Sequence, residues 1–221
     1  MDIYVDTNCL LFSADYIQRQ KDGSLDVLPE EYRTRCEHVV DFLDWCVSKR
    51  HGLHTLQFSY VQMLYTLQLD EYYKKQMLMK TKLRDILDLK QAAKVLEPND
   101  IESVRVNMEG LMSSWPYTFT WHPVPRDFPR WTAGFWPLAK AMLEMIHIDA
   151  EDALHLSAAL VTESSHILTG DGLFRSSAEK LQQLHNFRAI AAPLIGKTRP
   201  EEVKIQILSV VSAYGMSQRR R

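Results

Sequence analysis

Three aspartates in separate parts of the chain combine a suitable residue type with a suitable local setting for binding a metal ion. Asp6 follows the apolar alternation Ile3-Tyr4-Val5, and Asp171 ends a second β-prone run near the other end of the chain. Asp152 lies in the first turn of an apolar helix pattern. Side chains at the carboxyl ends of parallel strands face the ligand crevice of an open sheet. The sequence therefore predicts that these acids meet at one sheet edge.

Carboxylates that meet in this way require a cation. Two unit charges ~4 Å apart repel by ~4 kcal/mol at an effective dielectric constant of ~20, so three aspartates would partly protonate unless a positive ion neutralised them. Mg²⁺ and Mn²⁺ are hard divalent ions that prefer oxygen ligands. We therefore expect Asp6, Asp152 and Asp171 to form a Mg²⁺ or Mn²⁺ site.

Alternating strand and helix patterns predict an α/β fold that positions these acids. A helix between two consecutive strands favours a parallel connection, and this order recurs along the chain. Strands are predicted before Asp6, at 53–58, within 117–124, before Asp171 and at 187–192. Ser59 is the expected cap of the helix after the second strand, and a last helix is expected from Pro200 to about Gly215.

The length and composition indicate a single domain with an added part. The chain has 221 residues, of which 46% are hydrophobic, enough for one ordinary core. We expect one domain over residues 1–221, with a helical elaboration at about 70–114, a C-terminal helix and a basic tail at 219–221.

The charge and the cysteine content narrow the function classes. A formal charge of -2 gives no global attraction to nucleic acid, so binding of that kind must use local basic patches. The basic helix predicted at 74–94 is interpreted as a solvated face more readily than as an RNA-binding surface. No apolar run reaches the ~20 residues that a membrane span needs, and the first residues are not those of a signal peptide.

The odd count of three cysteines predicts reduced thiols in a cytoplasmic protein without a membrane partner.

With these motifs placed, the sequence resembles the PIN-domain family of metal-dependent ribonucleases. The resemblance depends on Val5-Asp6-Thr7-Asn8, on the helix that starts at Asp152, and on Leu168-Thr169-Gly170-Asp171 with the turn after it. It implies a doubly wound, PIN-like sheet of about five parallel strands, flanked by helices, with the first strand beside the strand that ends at Asp171. It also implies that Asp6, Asp152 and Asp171 are the metal-binding acids.

The resemblance further implies a reaction and partners. The family hydrolyses phosphodiester bonds of unpaired RNA, and it includes RNA-processing nucleases and the toxins of toxin-antitoxin pairs. Such toxins commonly form homodimers and bind an antitoxin. The expected partners are therefore RNA, an antitoxin or other protein partner, and a second copy of the chain.

One position departs from the family pattern. The family usually adds a glutamate early in the helix after the second strand, where this chain has Gln62. An amide oxygen is a weaker ligand than a carboxylate, so we expect one metal to bind adequately and a second one weakly. Asp149 or Glu151 are alternative sources of the missing acid.

Other side chains are expected to support the site. Asn8 and Thr169 are expected to hold the carboxylates or a water molecule. His155, one helical turn after Asp152, is interpreted as a packing or solvent-facing residue more readily than as a site residue.

Several alternatives remain open at the level of the sequence. Asp6, Asp149 and Asp152 are favoured helix caps, and Asp171-Gly172 is a common turn pair. The chain could also be a PIN-like scaffold or RNA-binding subunit that has lost catalytic power because of Gln62. An aspartyl phosphatase is disfavoured, since the required second acid is replaced by Asn8.

Overall fold

The core of the structure is an all-parallel, five-stranded sheet with helices on both faces, which confirms the predicted α/β class. The computed structural model describes residues 1–79, 95–123, 129–204 and 206–219, apart from the side chains of 129–132. The strands are β1 Asp2–Val5, β2 Gly52–Leu56, β3 Thr120–His122, β4 His166–Thr169 and β5 Gln206–Ser209. The helices among the described residues are α1 Thr7–Asp22, α2 Glu30–Ser48, α3 Gln57–Leu78, α4 Pro98–Ser113, α5 Pro129–Met145, α6 Ala150–Val161, α7 Gly172–Gln183, α8 His185–Leu194 and α9 Val210–Gln218, with short 3-10 turns at Leu25–Val27 and Pro200–Glu202.

The strand order reverses beside β1. The order is β3-β2-β1-β4-β5. Strands β2 and β3 are therefore added on one side of β1, and β4 and β5 are added on its other side. In register, Val5 of β1 lies opposite Leu168 of β4, as expected from the resemblance. Ligands of open α/β sheets bind at the carboxyl edge where the strand order reverses. Here that point lies between the ends of β1 and β4.

Alternation along β1 divides the core between the two faces of the sheet. Tyr4 packs into one cluster of buried residues, which helices α5, α6, α7 and α8 cover. Ile3 and Val5 point into the other cluster, which includes residues of α1, α2 and α9. Successive side chains of a strand point to opposite faces, so both faces of β1 are buried, as in other parallel sheets.

The prediction for the fifth strand was wrong. Residues 187–192 lie in helix α8, where Phe187, Ala191 and Ala192 are buried at helical spacing. Alanine is the strongest helix former, and it outweighs the short apolar run that suggested a strand. The fifth strand is β5, which follows the 3-10 turn expected to start the last helix. That last helix, α9, begins only at Val210, with Ser209 as its cap.

The prediction for the start of α3 was also wrong. The helix begins at Gln57, directly after Leu56, and Ser59 does not cap it. The Ser59 hydroxyl instead lies 3.0 Å from the hydroxyl of Thr55. Helix α3 then continues without a break to Leu78. Most of the predicted basic region at 74–94 lies outside the described residues.

The cysteines agree with the expected reduced state. Cys9, Cys36 and Cys46 are all buried and form no disulfide. Burial also raises the pKa of each of these thiols, which keeps them protonated and unreactive.

Candidate functional site

Asp6 lies at the junction between β1 and α1, where the local structure fixes its side chain. Its Oδ1 accepts a hydrogen bond from the backbone N–H of Thr7 at 2.7 Å, so it caps α1. Its Oδ2 accepts a hydrogen bond from the Thr169 hydroxyl at 2.8 Å. The residue is only 5% exposed. Two hydrogen bonds therefore hold a buried carboxylate at the predicted crevice.

Asp171 takes the corresponding place after β4. Its Oδ1 caps α7 by accepting hydrogen bonds from the N–H groups of Leu173 at 2.6 Å and Phe174 at 3.1 Å. Its own N–H donates to the Thr169 hydroxyl at 3.0 Å. The second oxygen, Oδ2, accepts no hydrogen bond from the residues that the structure describes, so it remains available to a ligand.

Thr169 joins these two aspartates. Its hydroxyl donates to Asp6 and accepts from the backbone of Asp171, and its side chain is buried. Asn8, the other residue expected to support the acids, makes no hydrogen bond to them within the described part of the chain. The hydrogen bonds to Asp6 come instead from the backbone N–H of Thr7 and the hydroxyl of Thr169.

Asp152 completes the acidic group from helix α6. Asp149 caps that helix by accepting from the N–H of Glu151 at 2.9 Å, so Asp152 lies in the first turn without serving as the cap. The half-buried Asp152 carboxylate accepts no hydrogen bond from any described residue. Burial, together with the negative charges of Asp6 and Asp171 and of its neighbours Asp149 and Glu151, raises the pKa of Asp152 to about 7. The three predicted acids therefore act on one another electrostatically.

A second polar network adjoins the acids. The amide oxygen of Gln62 accepts from the Thr7 hydroxyl at 2.6 Å and lies 2.7 Å from Nε2 of His155. The amide nitrogen of Gln62 donates to Glu151 at 2.5 Å. The other nitrogen of His155 lies 2.7 Å from the hydroxyl of Tyr4.

His155 belongs to this network, although the sequence favoured a packing or solvent-facing role. Its Nε2 lies 4.0 Å from Oδ1 of Asp6. Complete burial lowers the pKa of His155 and outweighs the opposing effect of Asp6, so the imidazole stays neutral. The signal that could have revealed it is spacing: His155 is three residues after Asp152 on α6, and Tyr4 faces the same side of the sheet as α6.

The donor chemistry of the site fits Mg²⁺ or Mn²⁺, but the side chains do not form an assembled metal site. Among the described residues, Asp152 and one oxygen of Asp171 have no donor, and each oxygen of Asp6 accepts one hydrogen bond, which leaves a lone pair on each. Among the described residues, however, no three His, Cys, Asp or Glu side chains are arranged to hold one ion.

The basic region predicted at 74–94 adds no unpaired lysine among its described residues. Of the basic region at 74–94, Lys74 and Lys75 are described, and both have acidic partners: Glu71 for Lys74, and Asp100 for Lys75. On α3, Tyr65 is 54% exposed and lies one helical turn after Gln62. Tyr65 therefore presents an exposed aromatic ring on the helix that carries Gln62.

Comparison with known proteins adds no relative: no family model, no curated protein and no solved structure matches the chain. Within the described segments, no helix is long and apolar enough to cross a membrane.

Proposed function

We propose that the protein is a divalent-metal-dependent ribonuclease that hydrolyses phosphodiester bonds of unpaired RNA. The observation that supports this most directly is the state of Asp152. A half-buried carboxylate whose pKa is raised to about 7, beside two further aspartates, is costly unless a positive partner binds there. The position agrees with this proposal, since Asp6 and Asp171 follow neighbouring strands at the reversal point of the sheet.

Asp6, Asp152 and Asp171 would hold Mg²⁺ or Mn²⁺. Such an ion, when bound, supplies a polarised phosphate, a more acidic attacking water and stabilisation of the leaving oxygen. The chain itself keeps the ligands in place: the helix caps fix one oxygen of Asp6 and one of Asp171, and Thr169 joins the two residues. No covalent nucleophile from the protein is needed.

Unpaired RNA is the proposed substrate because single strands expose bases that can stack on protein side chains. Base stacking on aromatic residues contributes ~1–3 kcal/mol per base, and Tyr65 presents an exposed ring one turn from Gln62. The aspartates themselves do not distinguish RNA from DNA.

The test is Mn²⁺-dependent cleavage of a labelled single-stranded RNA, with DNA of the same sequence alongside. We expect cleavage by the wild type and a loss of about 100-fold or more in Asp6→Asn and Asp171→Asn, since each variant lacks one proposed metal ligand. Asp26→Asn, which changes a fully exposed acid on the 3-10 turn, is the control and should retain full activity. Cleavage that survives both site substitutions would rule out the assignment.

A second candidate is an RNA-binding or scaffold subunit without catalysis. The observation in its favour is that Gln62 binds Glu151 and that the described acids do not form an assembled metal site. RNA binding with neither Mn²⁺ binding nor cleavage would support this function over the nuclease.

A further inference from the structure

Strand β5 forms one edge of the sheet, and no described strand lies on its outer side. The backbone N–H of Gln206 donates to the carbonyl of Ser165 beside β4 at 3.0 Å. Because successive residues of a strand direct their backbone groups to opposite sides, the N–H and C=O of Ile207 and the N–H of Ser209 point away from β4. Unpaired backbone groups on a sheet edge are a template for the addition of another strand.

A groove borders this edge on the face of the sheet that α9 covers. Its volume is about 580 Å³, which is within the range of clefts that bind ligands. Leu208 of β5 and Val211 and Met216 of α9 form its apolar lining, and Val211 is 69% exposed. A strand added beside β5 directs alternate side chains to this face. Those side chains would enter the groove.

One end of the groove is basic. Among the described residues that line it, Arg219 carries the only charge, and two further arginines follow it in the sequence. Gln206 lines the same groove, so this end lies at the start of β5. Lys204, exposed and two residues before Gln206, adds a second cation there, while Glu202 of the preceding 3-10 turn pairs with Arg199. Within the described part of the chain, neither Lys204 nor Arg219 forms an ion pair.

We propose that β5 and this groove bind an extended, acidic segment of another protein, which adds to the sheet as a further strand. Its backbone pairs with Ile207 and Ser209, an apolar side chain packs on Leu208 and Val211, and an aspartate or glutamate pairs with Arg219. In recognition by strand addition, backbone hydrogen bonds supply affinity and pockets for alternate side chains supply specificity. The proposal is independent of the nuclease function.

The charge of the groove favours another protein over a second copy of this chain. Two copies joined edge to edge about a two-fold axis would align their β5 strands antiparallel. The basic end of each groove would then lie beside the start of α9 in the other copy, which is the positive end of the helix dipole. An acidic segment avoids this repulsion between like charges.

The experiment begins with phage display of random short peptides against the full-length protein. We expect the enriched peptides to alternate apolar and polar residues and to carry an acid near one end. A fluorescein-labelled synthetic copy of one such peptide then gives its dissociation constant by fluorescence anisotropy. N-methylation of the backbone nitrogens that face β5 should weaken binding by about tenfold, since it removes donors to the strand edge. N-methylation of the nitrogens that face away is the matched control.

Two variants of the protein test the groove itself. Arg219→Glu should weaken binding by about tenfold, with a smaller effect at high salt, because it replaces an attraction by a repulsion. Val211→Glu should weaken binding by about tenfold or more, because it places a charge where an apolar contact forms. The controls are Arg50→Glu, an exposed arginine before β2, and Val61→Glu, a 55% exposed valine of α3. Both should bind like the wild type.

Each remaining outcome would overturn the proposal. Enrichment no higher than on the Val211→Glu protein would show that the groove selects no peptide, and a peptide that binds all four variants equally would lie elsewhere. A wild-type dimer that Val211→Glu converts to a monomer in sedimentation velocity would assign the groove to a second copy. Binding of labelled single-stranded RNA that Val211→Glu and Arg219→Glu both weaken would assign it to RNA. Both substituted side chains are exposed, and thermal unfolding verifies that every variant is folded.

Discussion

Replacing Asp152 by asparagine should stabilise the metal-free protein at pH 8. The folded state raises the pKa of Asp152 from 3.8 to about 7, so above pH 7 folding keeps a charge in an environment that disfavours it. Asparagine has nearly the same shape and no charge. The variant therefore lacks the unfavourable free energy of keeping a charged carboxylate at position 152 in the folded state.

The structure gives the size of this effect. A rise in pKa from 3.8 to about 7 corresponds to an upper bound of ~4 kcal/mol. Because the carboxylate is only half-buried, solvent screening reduces the value to ~2 kcal/mol. The lost attraction between an acid and the positive end of α6 offsets ~0.5 kcal/mol of this. A net gain of ~1.5 kcal/mol raises the melting temperature of a chain of this size by ~3–6 °C.

The sign of the pH dependence distinguishes this cause from better packing. The folded state binds the proton more tightly than the unfolded state, so the wild type loses stability as the pH rises from about 4 to about 7 and then levels off. The gain from Asp152→Asn should be close to zero at pH 4 and complete at pH 8. Urea unfolding of EDTA-treated protein at both values measures it, with Asp26→Asn as the exposed control. A gain that is equal at both values, or absent at pH 8, would refute the reasoning.

Three further outcomes follow from the same contacts. Mn²⁺ should raise the melting temperature of the wild type at pH 8 by several degrees, as expected for a ligand that binds only the folded state. The melting temperature of Asp152→Asn should not rise. Equal shifts of the two proteins in a thermal-shift assay would mean that the ion binds elsewhere. Thr169→Val should lower the free energy of unfolding by ~2–3 kcal/mol, since it leaves an oxygen of buried Asp6 and the N–H of Asp171 without their partner. Thr169→Ser keeps the hydroxyl and is the control. If urea unfolding gives the same free energy for both variants, this pair of hydrogen bonds does not stabilise the fold. Tyr4→Phe should cost ~1–2 kcal/mol because it removes the donor to buried His155, and an unchanged urea midpoint would show that this hydrogen bond contributes nothing.

Local sequence patterns were sufficient for those features that depend on near neighbours along the chain. A short apolar run followed by an acid predicted both β1 with Asp6 and β4 with Asp171, and the structure has the two strands side by side. The capping roles of Asp6 and Asp149 follow from their place directly before a helix. A strand-end acid that caps the next helix is encoded within a few residues.

Features that depend on competition between segments required the tertiary structure. Residues 187–192 are apolar enough for a strand, but in the fold they cover one face of the sheet as helix α8, and the edge beside β4 is filled by Gln206–Ser209. Which segment occupies an edge depends on what the rest of the chain leaves uncovered.

The side chains of the candidate site show the same division. The residue types of Asp6, Asp152, Asp171 and Gln62 are evident from the sequence, and so is the departure at position 62. The raised pKa of Asp152 and the contact between Gln62 and Glu151 arise only when α3 and α6 meet, 89 residues apart in the chain. Charge repulsion and hydrogen bonding act over a few ångströms, so which of these groups interact depends on the folded structure.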